Sequence, residues 1–280
     1  MTASLNPDRF EGTPYRGKFY KYREAGYISD SGEVELHKFT KRIITHNELY
    51  FADPRKFNDP FEFLPAIEPP SIQALKRRYN NRRIRKSERK EAIQKLKEMP
   101  ESELNRIMDN MWSEIMEQGS VGVCSFSKDP DNLQMWSYYS NDHNGVCFGF
   151  DTALDEENQK ALLNLIEVKY QKERSTFKVF DKHLNEDKFD MFYIKHVGWK
   201  HENEIRQVAF SVKNDLDRRC RYNSSALTSL IFGCKTDPKI IESYAKLLSD
   251  NDLSHVKLKT AKIDRKMFKL NIEDLSLIHI

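Results

Sequence analysis

The residues with most to say about chemistry lie in Trp199-Lys-His-Glu-Asn-Glu-Ile-Arg206, where Glu202, Glu204 and Arg206 recur at every second position. On a strand all three would project from one face, successive charges about 6.6 Å apart at about 3.3 Å per residue. Two carboxylates that close repel unless a cation or a ligand compensates them, and such pairs handle protons or stabilise positive charge. The plain alternative is a solvated edge strand with one ion pair, and spacing leaves both open. Arg23 closes Lys18-Phe-Tyr-Lys-Tyr-Arg23 and is either a fork for an anion or the end of a surface strand. Ser125 and Ser127 share a face of Val121-Gly-Val-Cys-Ser-Phe-Ser127 and either line a cleft or pack as small strand residues. His143 reads as a turn residue, with no Ser-His-Asp or Cys-His arrangement around it. P-loop, dinucleotide glycine fingerprint and zinc spacing are all missing from the chain.

These residues need strands on either side of a cleft. Val121 to Ser127 and Val146-Cys-Phe-Gly-Phe150 read as buried strands, bracketing a short helix with Leu133, Met135, Trp136 and Tyr139 that Asp131 is placed to cap. Lys18–Arg23 and Leu49-Tyr-Phe-Ala-Asp53 read as earlier strands, and Phe57-Asn-Asp-Pro-Phe-Glu62 as a turn. Asp181 to Val197 is expected to be a helix leading into a strand from Trp199 to Phe210. Pro238 suits the first turn of a helix carrying Ile240, Ile241, Tyr244, Leu247 and Leu248.

The 280 residues are 39% hydrophobic and 32% charged, with 3 Trp, 12 Tyr and 17 Phe, which excludes a disordered chain. No apolar run approaches the ~20 residues of a membrane helix, so no membrane partner is expected. The four cysteines lack metal-like spacing, two of them sit in apolar strands, and a reduced cytoplasmic protein is the expectation.

Net charge is only +3, yet Lys76 to Lys90 holds nine cations against Glu88, which leaves about −5 for the rest. Residues 71–118 are expected to form a basic helical arm inserted in a single α+β domain spanning 1–280. Its Arg77, Arg78, Arg82, Arg83 and Arg85 suit RNA or DNA phosphates, although a solvated helix face would look the same.

Lys21-Tyr-Arg23, Phe57-Asn-Asp-Pro-Phe-Glu62, Met135-Trp-Ser-x-Tyr139, His143-x-Gly-Val-x-Phe-Gly-Phe-Asp151 and Trp199-x-x-Glu-x-Glu-x-Arg206 together resemble a bacterial family of unknown function. The order Arg23, Ser125-x-Ser127, Glu202-x-Glu204 is in addition similar to the Arg–Ser–Glu pattern of ADP-ribosyltransferases. That second resemblance implies a split β-sheet core holding NAD in a cleft, as in a toxin or phage-defence effector with an inhibitory antitoxin protein as partner. It implies that Arg23 grips NAD phosphate or ribose, Ser125 or Ser127 orients the glutamate, and Tyr50 or Tyr139 stacks on nicotinamide. Glu204 would stabilise the oxocarbenium-like charge, and Glu202 would assist the acceptor. The competing readings are a metal-dependent nuclease using Glu62, Glu202 and Glu204, and a non-catalytic nucleic-acid-binding or interaction protein.

Overall fold

Eight strands hydrogen-bond into one mixed sheet: β1 (Lys18–Arg23), β2 (Gly122–Ser127), β3 (Val146–Asp151), β4 (Ile166–Glu167), β5 (Glu204–Ala209), β6 (Leu227–Phe232), β7 (Lys257–Ile263) and β8 (Leu270–Asp274). Their spatial order is β8-β7-β6-β3-β1-β2-β5-β4. Every neighbouring pair is antiparallel except β6 and β7, which run parallel. The computed structural model describes residues 14–81, 84–154, 164–179 and 190–275. Six α-helices accompany the sheet among these residues: α1 (Lys38–Thr45), α2 (Ile72–Asn81), α3 (Lys86–Glu98), α4 (Glu101–Gly119), α5 (Leu133–Tyr139) and α6 (Pro238–Ser249).

The sheet parts in the middle. β1 pairs along all six of its residues with β3 but with β2 only through Tyr20 and Ser127. Beyond that pair the edge of β2 is taken by Ala52, whose N–H and C=O bond the Val123 backbone at 2.8 and 2.9 Å. Gly122 admits this segment, since a Cβ there would stand 2.9 Å from the Phe51 Cβ. The gap between Lys21–Arg23 and Val123–Ser125 is the cleft described below.

Packing fixes the two halves. Phe19 of β1 stacks on Phe150 at 5.4 Å and meets Phe126 edge-on at 4.8 Å, in a core closed by Ile240, Tyr244 and Leu248 of α6. β3 is apolar from Val146 to Phe150, and these five residues are all buried. On the opposite side Trp136 of α5 is fully buried, donates from Nε1 to the Pro130 carbonyl at 2.9 Å and takes the Tyr22 ring edge-on. A third cluster joins Phe63, Trp112, Val123 and Phe192.

Several expectations are corrected. The cap of α5 is Asn132, whose side chain accepts from Met135 N at 3.0 Å, not Asp131. Residues 190–193 form a 3₁₀ turn and Ile194–His196 a short strand beside Lys169–Gln171, where a helix was expected; residues 180–189 lie outside the described residues. Ile194, the first residue of that strand, is β-branched, which suits extended backbone. The single strand from Trp199 to Phe210 is also broken. Val197–Glu202 is a 3₁₀ helix that ends at Asn203 with φ +43°, a left-handed conformation asparagine tolerates, and β5 starts only at Glu204. Pro238 does open α6, with Asp237 capping it. Within the stretch 71–118, expected to be a helical arm, the described residues form three helices, α2, α3 and α4.

Candidate functional site

Glu204 and Arg206 sit side by side on one face of β5, opposite Ser127 and Ser125 of β2. Arg206 is 0% exposed. Its Nε and Nη2 donate to the two Glu204 oxygens at 2.8 and 2.5 Å, and Nη1 donates to Glu62 Oε1 at 2.7 Å and the Phe192 carbonyl at 3.0 Å. The Phe63 ring covers the guanidinium at 5.1 Å. Glu62 reaches this point because the Asp59-Pro60 turn, with Phe61 N bonded to Asp59 Oδ1, delivers it inward.

Lys195 completes the cluster. Its ammonium donates to Glu202 Oε2 and, at 3.2 Å, to Glu204 Oε2, and lies 3.4 Å from Glu62 Oε2. Three buried carboxylates therefore share two buried cations, and no charge stands alone. Glu202 is held further by the Tyr139 hydroxyl at 2.7 Å, while Ser127 Oγ donates to the Glu202 carbonyl at 2.7 Å. Burial by itself would raise the Glu204 carboxyl, but Arg206, Lys195 and the Ser125 hydroxyl reverse it and hold its pKa at about 2. Burial likewise opposes the Lys195 ammonium, yet Glu204, Glu62 and Glu202 push it above its ordinary value. The Tyr139 phenol is raised by burial and then by Glu202, so it acts as a hydrogen-bond donor.

This cluster forms the wall of a cleft of about 410 Å³ opened by the parting of β1 from β2. Arg23, Tyr50, Ser125, Ser127, Tyr139, Glu202 and Glu204 all line it, so the residues singled out by spacing come from six separate segments to one cavity. Arg23 is half-buried and its guanidinium has no hydrogen bond or ion pair among the described residues. Tyr50 lines the cleft and bonds Asp215 at 3.1 Å through its hydroxyl. Ser127 is fully buried and accepts from Asp129 N at 3.1 Å, which makes it a brace for Glu202. Glu202 and Glu204 are not successive residues of one strand face, as the spacing suggested: Glu202 enters from the 3₁₀ helix and the two meet at Lys195.

Lys195, Lys21 and Tyr170 were not among the site residues read from the sequence, although Lys21 belongs to the Lys21-Tyr-Arg23 motif. Lys21 is buried, donates to the Ser125 carbonyl at 2.9 Å and lies 4.8 Å over the Phe126 ring; burial lowers its ammonium. The Tyr170 oxygen accepts from Glu204 N at 2.8 Å. Lysines inside a strand of alternating aromatic residues, as in Phe19-Tyr-Lys-Tyr22 and Tyr193-Ile-Lys195, are the signal that could have found two of them.

The arm residues stand apart from the cleft. Arg77 is exposed on α2, and Arg85 is exposed just before α3. Arg78 is half-buried on α2, and Arg82 and Arg83 lie outside the described residues. No residue of α3 is buried.

Fold and site thus define an α+β protein organised round a parted sheet and a compensated ion cluster. Residues 135–207, which carry Tyr139, Lys195, Glu202, Glu204 and Arg206, match the model of a family described as a protein of unknown function (DUF2971). This agrees, over that stretch, with the first resemblance read from the motifs. No curated protein and no solved structure matches the chain. No helix among the described residues is long and apolar enough to cross a membrane.

Proposed function

We propose that the chain is an NAD-dependent ADP-ribosyltransferase acting on a macromolecule, its parted sheet being the split core of that superfamily. One observation carries this reading. The Arg23 strand, the Ser125-x-Ser127 strand and the Glu204 strand are immediate neighbours in that order, and all three contribute to a single cleft. Arg23, unpaired among the described residues, and Lys21 would take the pyrophosphate, with the Tyr50 or Tyr139 ring against nicotinamide. Glu204, fixed by Arg206, Lys195 and Ser125, would hold the ribose hydroxyl and stabilise the charge that develops at the anomeric carbon. The carbon–nitrogen bond to nicotinamide breaks with its electron pair leaving on neutral nicotinamide. A bond from the acceptor atom to the same carbon forms, and the acceptor's proton leaves toward Glu202.

The nuclease reading requires Glu62, Glu202 and Glu204 to share a divalent cation, but the Lys195 ammonium stands where they converge. That observation favours the transferase. The test is incubation of the purified protein with labelled NAD and cell lysate, beside Glu204→Gln. Wild type is expected to release nicotinamide and label a macromolecule, and the variant to do neither. Inertness of the wild type toward protein, DNA and RNA acceptors overturns the reading.

A further inference from the structure

A second cavity, of about 530 Å³, adjoins the cleft, and Glu62 and Lys195 line both. Nothing in the proposed handling of NAD uses it. Its apolar lining includes Phe63, Leu64 and Met191. Two further aromatic rings, besides Phe63, line it. Phe61 is 62% exposed because the Asp59-Pro60 turn that points Glu62 inward holds its neighbour outward. Trp199 is half-buried, with the Lys195 ammonium 5.1 Å from its ring centre. Lys172 and Arg174 contribute exposed cations with no hydrogen bond or ion pair among the described residues.

Flat apolar faces beside unpaired cations suit one ligand chemistry well: a base that stacks, followed by phosphates that pair with the cations. An acidic peptide would engage Lys172 and Arg174 but leave the ring faces without a planar partner. A base inside a duplex could not enter, because both its faces are already stacked. The basic arm supports the same class of ligand from a separate direction. Trp112 of α4 donates from Nε1 to the Phe63 carbonyl at 3.1 Å, so the arm is rooted on the lining of this cavity. Arg77 and Arg85 of the same arm are exposed.

We propose that this cavity binds an unstacked nucleotide of single-stranded RNA or DNA and is the acceptor site of the transferase. The acceptor role rests on the reading above; the binding does not. Lys195 and Glu62, shared by the two cavities, put the nucleotide against the carboxylates that face the anomeric carbon. A base or sugar atom of that nucleotide is then the nucleophile that replaces nicotinamide.

The experiment is fluorescence anisotropy with a labelled single-stranded oligonucleotide and its duplex, at two salt concentrations, with NAD turnover measured on the same protein. Wild type is expected to prefer the single strand. Phe61→Ala, at an exposed ring whose loss spares the core, is expected to weaken binding about 10-fold or more. Lys172→Glu with Arg174→Glu is expected to weaken it and to flatten the salt dependence by about two phosphate contacts. Addition of ADP-ribose is expected to leave the oligonucleotide bound. The proposal is overturned by a wild type that ignores single strands, by variants that bind as wild type does, or by displacement with ADP-ribose, which would assign the cavity to the dinucleotide. Binding without NAD turnover would sink the transferase and leave the nucleotide site standing; turnover without binding would do the reverse.

Discussion

The cluster around Arg206 and the arm around Arg77 and Arg85 are made of the same side-chain types with opposite outcomes. In the cluster five charges are buried, each within 3.4 Å of an opposite one, and the result is fixed geometry. On α3 no residue is buried, and Arg77 and Arg85 face solvent. Burial forces charges to be paid for by partners inside the fold, whereas exposure leaves them to partners outside it. On the proposed reading one region positions chemistry and the other attracts ligand, and each of the following changes separates the two.

Arg206→Met should have the largest effect. It strips both Glu62 and Glu204 of their closest cation, and a loss of ~3–5 kcal/mol is expected in chemical denaturation. Changing Glu62 and Glu204 to Leu as well should recover part of that loss, because an apolar set needs no compensation. On the proposed transferase reading, Glu204→Gln should lower kcat about 10²- to 10³-fold, the usual scale for removing one electrostatic stabiliser of a transition state. Steady-state nicotinamide release measures it.

Acid should dissolve the cluster next. Glu204 has a folded pKa of about 2 against an ordinary 4.5, so its contribution is fully present above pH 4.5 and is lost as pH falls toward 2. Denaturation midpoints of wild type should fall through that window, and those of Glu204→Gln should fall less steeply. The smallest effect belongs to the arm: Arg77→Glu with Arg85→Glu should shift stability by less than about 0.5 kcal/mol while reducing affinity for nucleic acid at low salt. A large drop in thermal stability would mean that the arm's charges are structural after all.

How far the sequence carried these conclusions depends on how local each feature is. Cys124 to Ser127, Trp136 and Pro238 announced their elements through alternation, aromatic spacing and capping, because those signals are written within a few residues. The carboxylate pair was also visible, but its period of two was misread as one strand face. A 3₁₀ helix followed by left-handed Asn203 brings Glu202 to nearly the same place by another route. Glu62 was harder, since it meets Arg206 144 residues away, and Lys195 finds Glu202 and Glu204 across a strand and a 3₁₀ helix that have no common period. The cleft itself was legible as a motif order and not as a space, because a gap between strands leaves no pattern in either strand.

The junction between β1 and β2 has a mechanical consequence. A fully laced sheet resists bending at every rung, but here two plates, β8-β7-β6-β3-β1 and β2-β5-β4, share a single rung at Tyr20 and Ser127. Tyr20 acts as the pivot, and Arg23 lies three residues out along the lever, about 10 Å at ~3.3 Å per residue. A rotation of roughly 5° would carry Arg23 by about 1 Å, which is the margin between a hydrogen bond made and one missed. No ladder bond opposes that rotation, so the aperture of the cleft is set by side chains, chiefly the Lys21 ammonium on the Ser125 carbonyl at 2.9 Å.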